Sequence, residues 1–130
     1  METESFTDIP GPRAAFVGGA NIAIKTPPEV WELSVAFYRD TLGLTVLGED
    51  ADTVIFQFGP TRLHVDRVAG AVESAVWLEL VTQDADEAAL RLGQAGVERC
   101  DEVEPLPEGF RGFWIASPGG IVHLVAEPDC

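Results

Sequence analysis

Two cysteines in 130 residues, Cys100 and Cys130, make neither a disulfide framework nor a CxxC metal or redox motif. A reducing compartment suits such a chain, and the cytoplasm is the expected one. Bases are scarce: 8 Lys and Arg stand against 22 Asp and Glu, a formal charge of −14. That imbalance repels phosphate backbones and anionic headgroups, so nucleic acid and membrane are excluded as partners. No apolar run approaches membrane-spanning length, and Met1 to Asp8 has neither the basic flank nor the apolar stretch of a signal peptide. Serines 5, 34, 74 and 117 lie on no nucleophile-elbow motif, and neither cysteine has an activating neighbourhood, which argues against covalent catalysis. Gly119 and Gly120 lead into a strand rather than a helix and lack the lysine of a phosphate loop, so they read as a hairpin turn.

What is present is a hydrophobic content of 46%, enough for one compact core. Residues 1–16 mix charge with Pro10, Gly11 and Pro12 and read as a tail, leaving 17–128 as a single domain. Asn21 to Thr26 alternates strictly, with Ile22 and Ile24 on one face and Asn21, Ala23 and Lys25 on the other. Thr26 is a candidate N-cap, the two following prolines suit a first turn, and Gly43 supplies a stop, so Glu29 to Leu42 is expected to be helical. Its Val30, Leu33 and Phe37 face, widened by Trp31 and Tyr38, is expected to pack on a sheet. Strands are expected at Leu44 to Leu47, Thr53 to Phe58 and Arg62 to Val68.

The order then repeats. Ala75 to Thr82 reads as a strand, Asp84 with Glu87 as a capping-box start, Gly96 as a helix end, and Val97 to Val103, Phe113 to Ala116 and Ile121 to Ala126 as three further strands. The fold class is therefore α+β: two βαβββ modules, about 18–69 and about 73–127, forming a curved mixed sheet around a central cleft.

The strand Asn21 to Thr26, the helix end Ala36-Phe-Tyr-Arg-Asp-Thr-Leu-Gly-Leu44 and the hairpin Ser117-Pro-Gly-Gly-Ile-Val-His-Leu-Val125 carry a resemblance. In these residues the chain resembles the vicinal oxygen chelate superfamily, the glyoxalase, bleomycin-resistance and extradiol-dioxygenase fold. The resemblance runs from about Gly18 to Pro128. It implies metal ligands on the first and last strands of each half, which here fall on Asn21, His64, Trp77 and His123, the last if the hairpin is one residue shorter than the family's usual form. Metal-using glyoxalases tend to carry histidine or glutamine on the first strands and glutamate on the last, so Asn21 is a feeble ligand and Trp77 none.

Both histidines of the chain thus fall on last-strand ligand positions. Alternation supports this, because Leu63 and Val65 facing a helix layer turn Arg62, His64 and Asp66 the other way, and Val122 and Leu124 turn His123 away likewise. His64 and His123 with Glu79 as third ligand, or Asp66 after it, would suit Zn, Fe, Mn or Ni. Phe56, Phe58 and Trp77 are expected on the same face, with Asn21 and Arg62 as further ligand-binding residues and Arg111 as a candidate anchor for an oxygen.

Two functions follow. In one, a divalent metal held by His64, His123 and Glu79 activates a small molecule in a lyase, isomerase or dioxygenase reaction, with Glu79 as the catalytic base. In the other, a metal-free pocket sequesters a drug or metabolite, aromatic or cationic, against Trp77, Phe56 and Phe58. A homodimer is expected, since paired halves can also be exchanged between chains.

Overall fold

The computed structural model describes residues 16–128, so most of the expected tail, and Cys130, lie outside the described residues. Two compact units emerge, one spanning Gly19–Glu79 and the other residues 80–128 with 16–18. The elements are β1 (Phe16–Thr26), α1 (Pro28–Ala36), β2 (Val46–Glu49), β3 (Thr53–Phe58), β4 (Thr61–Arg67), β5 (Ala75–Thr82), α2 (Ala85–Gln94), β6 (Glu98–Arg99), β7 (Gly112–Ala116) and β8 (Val122–Ala126). A π-helical turn, Phe37–Thr41, follows α1, and a 3-10 turn, Asp101–Val103, follows β6.

The class is α+β, with open, mixed pairing. Neighbouring strands run β1-β4-β3-β2 in the first βαβββ module and β5-β8-β7-β6 in the second, so the order repeats step for step. β1 is parallel to β4 and in register through Asn21 with Arg62, Ala23 with His64 and Lys25 with Asp66. The β3–β4 and β7–β8 pairs are antiparallel. A parallel pair needs a crossover, and α1 with the two following strands supplies it for β1 and β4. Both β1 and β5 end on a fully buried threonine, Thr26 and Thr82.

Each module packs one sheet face on its own helix. In the first, Val35 of α1 meets Val54, Phe56, Leu63 and Val65. In the second, Ala85 and Ala88 of α2 meet Phe113, Ile115 and Val125. Small alanines let α2 approach the sheet closely, and side chains of this kind on alternate strand positions are what one buried face requires. Asp84 caps α2 as its sequence predicts, accepting from the Glu87 N–H at 3.1 Å.

The first helix differs from expectation in three ways. Its N-cap is Pro27, not Thr26, whose hydroxyl donates instead to the Ile24 carbonyl within β1. The α-helix stops at Ala36 and continues as the π-turn, where the Leu42 N–H reaches back to the Phe37 carbonyl, and Gly43 at φ 73° then turns the chain out. The buried stripe is Trp31, Val35 and Tyr38, while Val30, Leu33 and Phe37 are exposed. Both triplets have helical spacing; the indole N–H of Trp31, donating to the Val65 carbonyl at 3.0 Å, pins the first onto β4.

β6 is also shorter than the expected Val97 to Val103. The Asp101 carboxylate accepts the Trp114 N–H, taking the place a strand carbonyl would fill, and the chain turns.

Candidate functional site

Strand alternation in the first unit leaves one sheet face turned away from α1. Cross-strand partners share a face, so the register places Gln57 and Arg62 beside Asn21, Ile55 and His64 beside Ala23, and Thr53 and Asp66 beside Lys25. This is the face the sequence assigned to Arg62, His64 and Asp66. Phe56 is not on it. It pairs with Leu63, is fully buried in the core, and stacks obliquely against Tyr38 with ring centroids 5.7 Å apart. Phe58, two residues on, shares that parity and is half-exposed beside Thr61. Both expectations for the phenylalanines are thereby corrected. Val54, Ile55 and Phe56 are apolar in succession, and only the pairing with β4 decides which of them face the helix.

Polar groups on this face form two connected sets. In one, Glu79 Oε1 accepts from the Ala20 N–H at 3.0 Å, the Asn21 N–H at 3.2 Å and the Asn21 side-chain amide at 3.2 Å. The amide oxygen of Asn21 then lies 2.8 Å from His64 Nε2. A carbonyl oxygen only accepts, so Nε2 carries the hydrogen and the neutral ring keeps its lone pair on Nδ1. Successive N–H groups of a regular strand point opposite ways, yet Ala20 and Asn21 both donate to one oxygen, so β1 is irregular here. Gly19 permits it, because a Cβ at that position would collide with the Glu79 carboxylate.

In the other set, Lys25 Nζ and Asp66 Oδ2 form a 2.7 Å ion pair with both side chains largely buried, and Thr53 donates to the second Asp66 oxygen at 2.8 Å. Lys25 also stands 4.3 Å from the centroid of the Trp77 ring. His64 sits between these sets. Burial holds its pKa below the ordinary imidazole range, with Lys25 and Arg62 adding to the effect and Asp66 and Glu79 opposing it.

His123 does not share this orientation. It pairs with Ile115 and lies two residues from Val125, and both of those belong to the core under α2. Its ring is therefore on the helix side of its own sheet, where Nδ1 meets the Ile121 carbonyl at 3.0 Å. Val122, Leu124 and Ala126 occupy the opposite side, with Leu124 paired to Trp114. The correction rests on the β7–β8 register. The hairpin loop is closed by Ser117 N–H to the Ile121 carbonyl and Gly120 N–H to the Ser117 carbonyl.

Arg111 is likewise occupied elsewhere, on Glu127 at 2.9 Å and Asp86 at 3.2 Å. Cys100 is half-buried, and burial with Glu102, Asp101 and Glu98 nearby pushes its thiol up, as suits an inert cysteine. The residues missed as site members were Lys25 and Gly19. Lys25 was already on the correct face by alternation, whereas the close approach at Gly19 has no sequence signal.

A repeated β-α-β-β-β order with this register, and a polar face turned from the first helix, define the vicinal oxygen chelate fold, and the chain has that fold. No protein-family model matches the sequence, and no curated protein matches it. Among solved structures it is similar to the Mn(II)-bound glyoxalase from Novosphingobium aromaticivorans, 26% identical over 88% of this chain and 39% of that one, with a TM-score of 0.58. It is also similar to a glyoxalase/bleomycin resistance protein/dioxygenase superfamily member from Vibrio splendidus 12B01, 15% identical over 82% and 97% of the two chains, TM-score 0.61. A third is methylmalonyl-CoA epimerase from Mycobacterium tuberculosis, 15% identical over 95% of each chain, TM-score 0.62. The chain thus spans about two fifths of that glyoxalase and nearly all of the other two.

The donor set can be tested against a divalent ion. Of the four positions the resemblance implies, Asn21 is a feeble ligand, Trp77 none, and His123 lies on the helix side of its own sheet, which leaves His64 as the one strong ligand type. Glu79 already has one oxygen in three hydrogen bonds, Asp66 is neutralised by Lys25, and no group of three His, Cys, Asp or Glu is arranged for a metal among the described residues. These residues do not fit the metal that the fold family implies. Also among the described residues, no helix is long and apolar enough to cross a membrane.

Proposed function

We propose that the chain is a small-molecule-binding protein of the vicinal oxygen chelate fold, holding its ligand on the polar face of the first unit without a resident metal. The observation that carries this reading is the commitment of the acidic side chains: Glu79 to the donors of Ala20 and Asn21, and Asp66 to Lys25 and Thr53. What this face still offers is recognition chemistry. Arg62 is exposed two residues from His64 and in register with Asn21 and Gln57, well placed for a carboxylate or polarised oxygen. Trp77 offers an aromatic surface. The cation expected of the ligand is already supplied by Lys25, which shifts the ligand class from cationic to neutral or anionic.

The metal-dependent lyase, isomerase or dioxygenase reading makes an opposite prediction for elemental analysis of untagged protein reconstituted with Mn, Zn, Fe or Ni. Substoichiometric metal, unchanged in a His64→Ala variant, is the expected result. About one equivalent per chain, lost in that variant, would restore the metalloenzyme and overturn this proposal.

A further inference from the structure

The chain of contacts from Glu79 through Asn21 to His64 has a direction. Asn21 has one donating and one accepting end, and an amide that turned over would present NH2 to His64 and oxygen to a carboxylate. Glu79 forbids that, because its oxygen accepts from the Asn21 side chain and is held in turn by the Ala20 and Asn21 backbone N–H groups. The Asn21 oxygen must therefore face His64, at 2.8 Å, and the ring must give its Nε2 hydrogen to it. Gly19 is the place where the fold makes room for the carboxylate that starts the sequence.

Resting on the proposed ligand face, we infer that Glu79 and Asn21 are positioning residues that lock His64 as the Nε2–H tautomer and so make Nδ1 a dedicated hydrogen-bond acceptor for the ligand. This sets a specificity rule. A ligand must meet His64 with an O–H or N–H donor; a group that can only accept finds a lone pair opposite its own. Arg62 on the same strand face takes acceptor oxygens, so the two residues read opposite halves of a hydroxyl-bearing polar molecule.

Two readouts test this separately. Long-range nitrogen–proton NMR of 15N-labelled protein at about pH 8, where an imidazole is neutral, reports the tautomer directly. Wild type is expected to show Nε2 protonated and Nδ1 bare. Glu79→Gln, which keeps an acceptor oxygen, is expected to retain that pattern, whereas Glu79→Leu releases the amide and yields a tautomer mixture. A bare Nε2 in wild type, or a tautomer unmoved by Glu79→Leu, would overturn the lock. His123, which lies on the helix side of its own sheet, serves as the internal reference.

The second readout is titration with phenol and with anisole, alike in their aromatic ring but only the first a donor, followed at His64 and Trp77. Phenol is expected to bind about tenfold more tightly, the size of one hydrogen bond. Equal binding of the two would overturn the specificity rule while the face itself stands. No binding of either by a protein with the expected tautomer would count against the ligand face and leave the lock intact.

Discussion

At the scale of single residues, the described part of the molecule separates buried side-chain groups that are satisfied from one that is not. Thr26 and Thr82 end equivalent strands of the two modules, and both are buried. Thr26 donates to the Ile24 carbonyl, but the Thr82 hydroxyl has no partner among the described residues. A buried hydroxyl without a partner carries a desolvation cost that an isosteric methyl does not. Thr82→Val should therefore stabilise the fold by about 1 kcal/mol, read as a higher midpoint in urea with unchanged slope. Thr26→Val should not stabilise, because it removes a hydrogen bond. If both variants behave alike, the difference between the two hydroxyls has no energetic meaning. Much of this scale was legible beforehand. Alternation alone put Asn21, Lys25, Arg62, His64 and Asp66 on one face, because Ile22 and Ile24 in β1 and Leu63 and Val65 in β4 are large apolar residues two apart with these side chains between and beside them. It failed at Phe56, where three apolar residues in a row carry no parity, and at Gly19, where what matters is the absence of an atom.

Elements were legible in order and type more than in extent or rotation. Turn residues and periodicity marked the eight strands and two α-helices of the described residues, since Gly43, Gly59, Gly70, Gly96 and Gly120 each stand at positive φ in a connection. Helix α1 defeated the reading of its face because Val30, Leu33, Phe37 and Trp31, Val35, Tyr38 are two stripes of equal spacing. Strand β8 defeated it because Ile121, Val122, Leu124, Val125 and Ala126 are all apolar around His123, so their order fixes no parity and the pairing of His123 with Ile115 decides the face. The N-terminus of α2 shows what sequence distance conceals. Its Ala85 N–H donates to Glu127 at 2.8 Å, and Glu127 is also held by Arg111, from residues 42 positions away and 16 positions away. The Ala85 N–H and the Arg111 guanidinium keep the Glu127 carboxyl below its usual range. A carboxylate whose folded pKa is depressed stabilises above its unfolded value, about 4.3, and the contribution is lost as pH falls through the folded pKa. Glu127→Gln should accordingly lower the thermal midpoint at pH 7, and the gap to wild type should narrow as pH falls below about 4.3. A gap constant from pH 7 down to pH 3 would show that the charge at this helix terminus contributes nothing.

For the molecule as a whole, the fold narrows the question of function and the surface charge answers a different one. The vicinal oxygen chelate fold is shared by the Mn(II)-bound glyoxalase and the epimerase to which this chain is similar, so activity must be argued from the side chains on the sheet face. The charge of −14 is a property of the whole chain. Among the described residues Lys25, Arg39, Arg67, Arg99 and Arg111 are engaged in ion pairs, and the chain's 22 acids greatly outnumber its 8 bases. Apart from Lys25 with Asp66 these are surface pairs that contribute little each, and compaction brings the remaining carboxylates closer than they are in the unfolded chain. Self-repulsion should then outweigh the pairs, and salt should screen it over a distance that shrinks from about 30 Å at 0.01 M to about 3 Å at 1 M. Thermal unfolding in KCl from 0.01 to 0.5 M at pH 7 should show the midpoint rising by about 4 °C, roughly 1 kcal/mol for a domain of this length. A neutral osmolyte of matched osmolality separates screening from general exclusion, which strengthens burial without touching charge. A midpoint that falls with KCl would mean that the ion pairs, Lys25 with Asp66 foremost because it is the most buried, outweigh the repulsion of all the unpaired acids. The polar face of the first unit would then be a principal electrostatic anchor of the fold as well as its candidate ligand site.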